Sequence, residues 1–186
     1  MDRLFLGGTQ QRRSFLDRIV YAFDTEHARR LSSYENLYRQ WLQILKSSNI
    51  NNSWLTALEE QMSGIGVAIA AARREQVQKL NAFIEQNPDD VFPEAVLTLD
   101  GTIEQMLDSK PAIYVEDFYR ESLFNHRRSI LFNDSGNNIN KTDLCAVYKK
   151  KNVPAGLCST GEQKSLLLSI ILAQAKSLLH SRGIPP

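Results

Sequence analysis

The sequence predicts an α+β fold that is mostly helical, and three observations carry that prediction. Apolar residues recur at three- and four-residue spacing along two long stretches, and a short polar segment separates them. The run Ala95-Val96-Leu97-Thr98-Leu99 switches to β-type composition and stops at Asp100-Gly101. A capped apolar run near the C-terminus reads as a buried helix.

At 186 residues and 42% hydrophobic, the chain can bury the core of one ordinary domain or two small ones. A net charge of +1 gives no global basic footprint for nucleic acid, so a DNA contact must be a local patch or belong to a larger assembly. Cys145 and Cys158 are too few for a disulfide or metal framework and fit a reduced cytoplasmic setting. The longest apolar runs fall short of a membrane span. The opening Met-Asp-Arg-Leu-Phe-Leu-Gly-Gly lacks the apolar core of a secretory signal, so a soluble cytoplasmic protein is expected.

Phe15, Ile19 and Phe23 recur every four residues and predict a helix from about Gln11 to Phe23. Arg12, Arg13 and Arg18 cluster on it, which on net charge alone reads as a solvated face. Asp24 is the expected cap of the next helix, whose seam is Leu31, Tyr34, Tyr38, Trp41 and Leu45. The polar stretch Lys46–Ser53 breaks it. Ser53 is the expected cap of a second seam, Leu55, Leu58, Met62, Ile65, Ile69 and Ala72, running on through Val77, Leu80 and Ile84 with shifted register.

Two such helices form an antiparallel hairpin, either a projecting arm or half of a bundle. Gly64 and Gly66 each weaken the second helix by roughly 1 kcal/mol relative to Ala, and would let the partner helix approach. Arg73 and Arg74 are the hairpin's most prominent charges, with a solvated face as the bland account. Asn87-Pro88 must stop the helix.

A further helix is predicted from Val115 to about Arg128. Its basic end, His126-Arg127-Arg128, complements the helix dipole. His27, His126 and His180 form no ligand spacing. Residues 133 to 142 read as a polar loop and Leu144–Lys150 as a strand. Lys149, Lys150 and Lys151 then make a short basic run.

The last helix is predicted from about Ser159 to His180, with Gly183 as C-cap. Its first half is apolar all round, which implies full burial. Ser159 and Glu162 have capping-box spacing. The small residues ahead of the helix leave backbone N–H groups and the positive dipole end free to meet an anion. The plainer account is only a well-capped helix. Gly156 and Gly161 have the glycine spacing of a P-loop, but Glu162 and Gln163 stand where Lys and Ser/Thr are required, so the P-loop is rejected.

Ser-Thr-Gly-Glu-Gln-Lys, followed by Leu-Leu-Leu and then Leu-Ala-Gln-Ala, resembles the signature motif of the RecF family of DNA replication and repair proteins, which are ABC-type ATPases. In that family the signature Ser and Gly of one subunit face the γ-phosphate of ATP held by the other. The resemblance gives that role to Ser159 and Gly161, with Thr160 and Glu162 completing the turn. Arg12, Arg13, Phe15, Leu16, Asp17 and Arg18 match a second RecF motif, in which Asp17 and Arg18 read as structural ion-pair residues. Ala68–Arg74 resembles a RecF helix. Two departures stand out. Asn138, Ile139, Asn140 and Lys141 replace a Gly-Pro-His-Arg motif, and Trp41-Leu42 replaces an Arg-Asn pair.

The resemblance covers Arg3 to Pro186 but only the middle and late part of a RecF. It implies head-lobe segments at 1–23 and 131–186, a hairpin arm at 24–87 and a connector with strand and helix at 88–130. The P-loop and the Walker B strand are not in this sequence, so the chain alone is expected neither to hold ATP tightly nor to hydrolyse it. It looks like a truncated RecF: a domain piece, or the product of a split or decaying reading frame. For the intact family the resemblance implies ATP and Mg2+ as cofactors, an ATP-bound homodimer, single-stranded or gapped duplex DNA, and other recombination mediator proteins as partners. No membrane is expected. Candidate DNA or partner contacts are Arg12, Arg13, Arg73, Arg74, Lys141, Lys149 and Lys150. The alternative is a non-catalytic helical interaction module.

Overall fold

A computed structural model describes residues 4–47, 50–86, 91–129 and 138–181. The helix stop at Asn87-Pro88, the first half of the 133–142 loop and the Gly183 cap lie outside these residues. In order come α1 (Thr9–Phe23), α2 (Glu26–Leu45), α3 (Asn52–Gln86), β1 (Ala95–Asp100), α4 (Thr102–Met106), α5 (Ala112–Ser129), β2 (Asp143–Tyr148), β3 (Val153–Pro154) and α6 (Thr160–Ser181). Short 3-10 turns at Ile139–Lys141 and Ala155–Leu157 flank β2 and β3. The chain divides into two compact units, and the boundary falls inside α3, between Ala72 and Arg73.

The first unit comprises Met1–Asp24, Arg73–Asp100 and Asp143–Pro186. Its sheet is antiparallel, in the order β1-β2-β3, with Leu97 opposite Ala146 and Asp100 opposite Asp143. Strand alternation buries Ala95, Leu97, Leu144 and Ala146. Helix α1 packs on β2 through its apolar stripe of Phe15, Leu16, Ile19 and Val20. The outer edge of β1 is occupied by a side chain. Asn81 donates from Nδ2 to the Leu97 carbonyl at 2.7 Å and accepts from the Leu97 N–H at 2.9 Å. The amide thus stands in for one residue of a neighbouring strand.

The full burial expected of α6 does not hold. Leu166, Leu167 and Ile170 are buried, but Leu168 is 43% exposed. Only one face of the helix meets the sheet side of this unit, so the apolar surplus stays in solvent.

The second unit comprises Thr25–Ala72 and Gly101–Thr142. Here α2, the first part of α3, α4 and α5 share one core, so the hairpin is two helices of a bundle. Tyr34, Trp41, Leu45, Leu55, Leu58, Met62 and Ile69, seven of the expected seam positions, lie in that core. Two expected caps differ. Thr25 occupies the N-cap of α2 without a side-chain bond. At the start of α3, Asn51 rather than Ser53 accepts from the Trp54 N–H at 3.0 Å.

The glycines also differ from expectation. A Cβ on Gly64 would meet nothing within 4 Å, whereas one on Gly66 would lie 2.5 Å from Cε1 of Tyr119. Gly66 therefore admits a ring from α5, not the backbone of α2. The Tyr119 hydroxyl is hydrogen-bonded to that of Tyr34, which donates to Asn138 Oδ1 at 3.0 Å. Burial pushes both phenols up, so they stay protonated.

Trp41, standing in the departure from the Arg-Asn pair, donates to the buried Glu59 at 2.8 Å. Arg127 completes that carboxylate's shell through Nε at 2.7 Å and Nη2 at 2.6 Å.

Candidate functional site

The signature turn is built by the segment running from β2 into α6. Between β2 and β3 the chain reverses with Asn152 at φ 50°, a left-handed conformation that Asn tolerates well. The 3-10 turn Ala155–Leu157 follows, and Cys158 returns to extended backbone. Gly156 packs closely, since a Cβ there would lie 3.2 Å from the Phe5 carbonyl oxygen. The buried Gln163 side chain ties this loop to the helix, donating to the carbonyls of Cys158 at 2.9 Å and Gly156 at 3.3 Å.

Ser159 and Glu162 form the capping box that their spacing predicts. Oε2 of Glu162 accepts from the Ser159 N–H at 2.9 Å and from its hydroxyl at 2.8 Å. In return the Glu162 N–H points to Ser159 Oγ at 3.4 Å. The other carboxylate oxygen is ion-paired with Lys151. That ammonium, followed by the two Ser159 bonds, holds the Glu162 carboxyl down to about 2.

A helix start leaves its first N–H groups without intrahelical acceptors. The box accounts for those of Ser159 and Glu162, and among the described residues nothing accepts from Thr160 or Gly161. Ser159, Thr160 and Gly161 are exposed, and a Cβ on Gly161 would meet nothing within 4 Å. Two N–H groups without acceptors among the described residues, a positive dipole end and a nearby ammonium form an open surface suited to an oxyanion, while the Ser159 hydroxyl is given to Glu162.

The other candidates are dispersed. Arg12 grips Asp143 through Nε–Oδ1 at 2.7 Å and Nη2–Oδ2 at 2.6 Å, and also donates to the Gly7 carbonyl. Its guanidinium is thereby held to the start of β2. Arg73 is fully buried and paired with Asp17, so Asp17 finds its structural partner in Arg73 rather than its neighbour Arg18. Arg13 and Arg74 are half-buried. The basic run divides. Lys149 pairs with Glu94 at 2.8 Å, Lys150 is exposed, and Lys151 turns to Glu162. In the second unit Lys141 is exposed, beside Asn138, which caps its 3-10 turn, and Ile139, which is buried in the core. The tetrapeptide that departs from Gly-Pro-His-Arg thus has a packing role there.

Lys151 is the residue that sequence reasoning passed over. Its place in the run was visible, but its partner Glu162 lies 11 residues ahead across a strand and a turn.

No family model matches the chain. Curated relatives do. The DNA replication and repair protein RecF of Brucella abortus is 39% identical over 188 residues, covering 100% of this chain and 49% of its own length. The RecF of Mesorhizobium japonicum is 40% identical and that of Allorhizobium ampelinum 38%, each over the whole chain and 50% of its own length. The chain therefore spans about half the length of the curated relatives it matches. Solved structures of the recombination mediator protein RecF, in RecF-ATPrS and RecF-ATP forms, share the fold with a TM-score of 0.81 at 14% identity. These cover 100% of this chain and 51% and 50% of theirs. No helix among the described residues is long and apolar enough to cross a membrane. In sequence along its whole length the chain is similar to about half of each of these curated RecF proteins, and in fold to about half of each of the solved RecF structures, which fits a partial RecF chain.

Proposed function

We propose that this chain is the signature-bearing part of a RecF-type ATPase acting in DNA replication and repair. Its Ser159–Gly161 turn contacts the γ-phosphate of ATP held by a second subunit. One observation carries this reading. The hexapeptide with RecF's signature pattern opens a helix whose Thr160 and Gly161 N–H groups are unclaimed among the described residues and face open space. Such a turn suits the oxygens of a terminal phosphate, and this reading assigns the tight hold on the rest of the nucleotide to a P-loop lysine and magnesium ligands, which the turn does not supply. Among the described residues, no group of three His, Cys, Asp or Glu side chains could hold a metal ion.

In this reading ATP joins two subunits by being shared between them, and the joined pair engages gapped DNA in the cytoplasm alongside other recombination mediators. Lys141 and Lys150, both exposed, are the proposed DNA contacts with the freest geometry. Arg13, Arg74 and Lys149 are secondary. Arg12 and Arg73 act by holding the fold.

The test is coexpression with a polypeptide supplying the P-loop and Walker B strand of a RecF relative. The assembled protein should dimerise with ATP in sedimentation. Ser159→Arg should abolish dimerisation while ATP binding to the undimerised assembly persists. Unchanged dimerisation of that variant would refute the assignment.

A second reading, a protein-binding module, draws support from the loop end of the hairpin. There Ile50 and Phe124 are 46% and 56% exposed around an open groove that also includes Arg127. Failure of complementation together with full folding of the chain would favour it.

A further inference from the structure

The turn at Ser159 carries an internal contradiction for any phosphate that approaches it. The open N–H groups of Thr160 and Gly161 attract an oxyanion, yet the Glu162 carboxylate sits in the same turn and is itself an anion. It cannot simply withdraw, because it closes the capping box on both the N–H and the hydroxyl of Ser159. Nor does it shed its charge by taking up a proton at neutral pH, since its carboxyl is held at about 2. A polyphosphate arriving at this turn meets a fixed negative charge unless something cancels it.

Lys151 is placed to cancel it. Its ammonium is bonded to Oε1 of Glu162, the oxygen that the capping box leaves over. The position is built. Asn152 in its left-handed conformation reverses the chain beside it, and the Lys151 N–H is anchored on the Tyr148 carbonyl at 3.2 Å. The ammonium also lies 5.7 Å from the centroid of the Tyr148 ring, whose face favours a cation. The two lysines before it do not share this place: Lys149 turns to Glu94 and Lys150 to solvent.

We propose that Lys151 is a positioning residue of the phosphate-facing turn: by pairing with Glu162 it neutralises the carboxylate that closes the Ser159 cap, so that the cap and a phosphate oxyanion can coexist. The inference rests on the reading of Ser159–Gly161 as a phosphate contact. It adds that the turn needs a cation from the β2–β3 reversal, and that this cation acts through Glu162.

The experiment titrates inorganic triphosphate onto this chain and follows the backbone amides of Thr160 and Gly161 by NMR. Wild type should show saturable shifts at both. Lys151→Gln should weaken binding about tenfold, the effect of one uncancelled charge a few ångströms from the ligand. Lys151→Arg should bind like wild type. Glu162→Gln keeps a capping-box residue while removing the charge, and should bind more tightly than wild type. The double variant Lys151→Gln with Glu162→Gln should return to near wild-type affinity. A lysine serving only to hold the loop is not rescued by deleting its partner's charge.

Equal binding by Lys151→Gln and wild type overturns the inference and leaves the phosphate reading standing. A double variant as weak as Lys151→Gln overturns the route through Glu162. No shift at Thr160 and Gly161 in the wild type overturns the phosphate reading and this inference with it. The amides of Leu166 and Ile170, buried in the same helix, report folding in every variant.

Discussion

Arg73 is wholly buried and holds Asp17 by two bonds, Nε to Oδ1 at 2.8 Å and Nη2 to Oδ2 at 3.0 Å. The pair joins α1 to α3 within the first unit. The two residues are not equivalent, because Asp17 retains 16% exposure and Arg73 none. Removing the carboxylate takes two charge-assisted bonds from a fully buried cation, while removing the guanidinium leaves a carboxylate that water can reach. Asp17→Ala should therefore cost about 3–5 kcal/mol in urea unfolding. Adding Arg73→Met to Asp17→Ala should recover part of that loss. A double variant less stable than Asp17→Ala alone would show that the pair is not the relevant unit.

Gly64 and Gly66 should respond to alanine with opposite signs. At Gly64 the new methyl meets open space, and the helix gains up to about 1 kcal/mol from the better helix former. At Gly66 it collides with the Tyr119 ring, which is fully buried and bonded to Tyr34. The clash should outweigh the propensity gain and destabilise by about 1–3 kcal/mol. Thermal unfolding of the two variants side by side checks the pair.

The start of α6 should loosen in acid. Glu162 has its carboxyl lowered to about 2 from 4.5, chiefly by Lys151. A depressed carboxyl contributes stability that is present above its unfolded value and is lost as pH falls through the folded one. Exchange of the Gln163 amide, which donates to the Ser159 carbonyl at 2.9 Å, should accelerate as pH falls from 4.5 toward about 2, after correction for intrinsic rates. Glu162→Gln should abolish that pH dependence while preserving the helix.

Asn81 should matter more than a half-buried surface amide normally does. Truncation to Ala leaves both backbone groups of Leu97 without their partner, at a cost of about 2–4 kcal/mol. Exchange of the Leu97 amide should rise with it. Asn81→Asp keeps an acceptor for the N–H but sets a carboxylate against the carbonyl, so it should also destabilise.

What could be read from the residues was what is local. The seams from Tyr34 to Trp41 and from Leu55 to Ile69 were visible because helical period and burial coincide. The Ser159–Glu162 box was visible because its partners stand three residues apart. The strand at Ala95–Asp100 was marked by composition and its Asp-Gly stop. The two-residue β3 and the five-residue α4 are too short to carry a period. Arg12 and Arg73 looked like surface charges because their carboxylates lie 131 and 56 residues away, and no local pattern reports a partner at that distance. The departures at Trp41 and Asn138–Lys141 stood out in the sequence only as mismatches to the family motifs, whereas Trp41 and Ile139 fill the core of the second unit.

The side chain on the edge of β1 also bears on how the protein behaves in crowded solution. An uncovered outer strand is a template on which a second chain can add itself, and from there amyloid-like stacking can grow. Asn81 occupies that template at its centre, at Leu97. At the opposite margin β3 is only two residues long and ends in Pro154, which has no N–H to offer. Among the described residues both margins are blunted, one by a side chain and the other by its length and its proline, which disfavours the addition of a second copy along them.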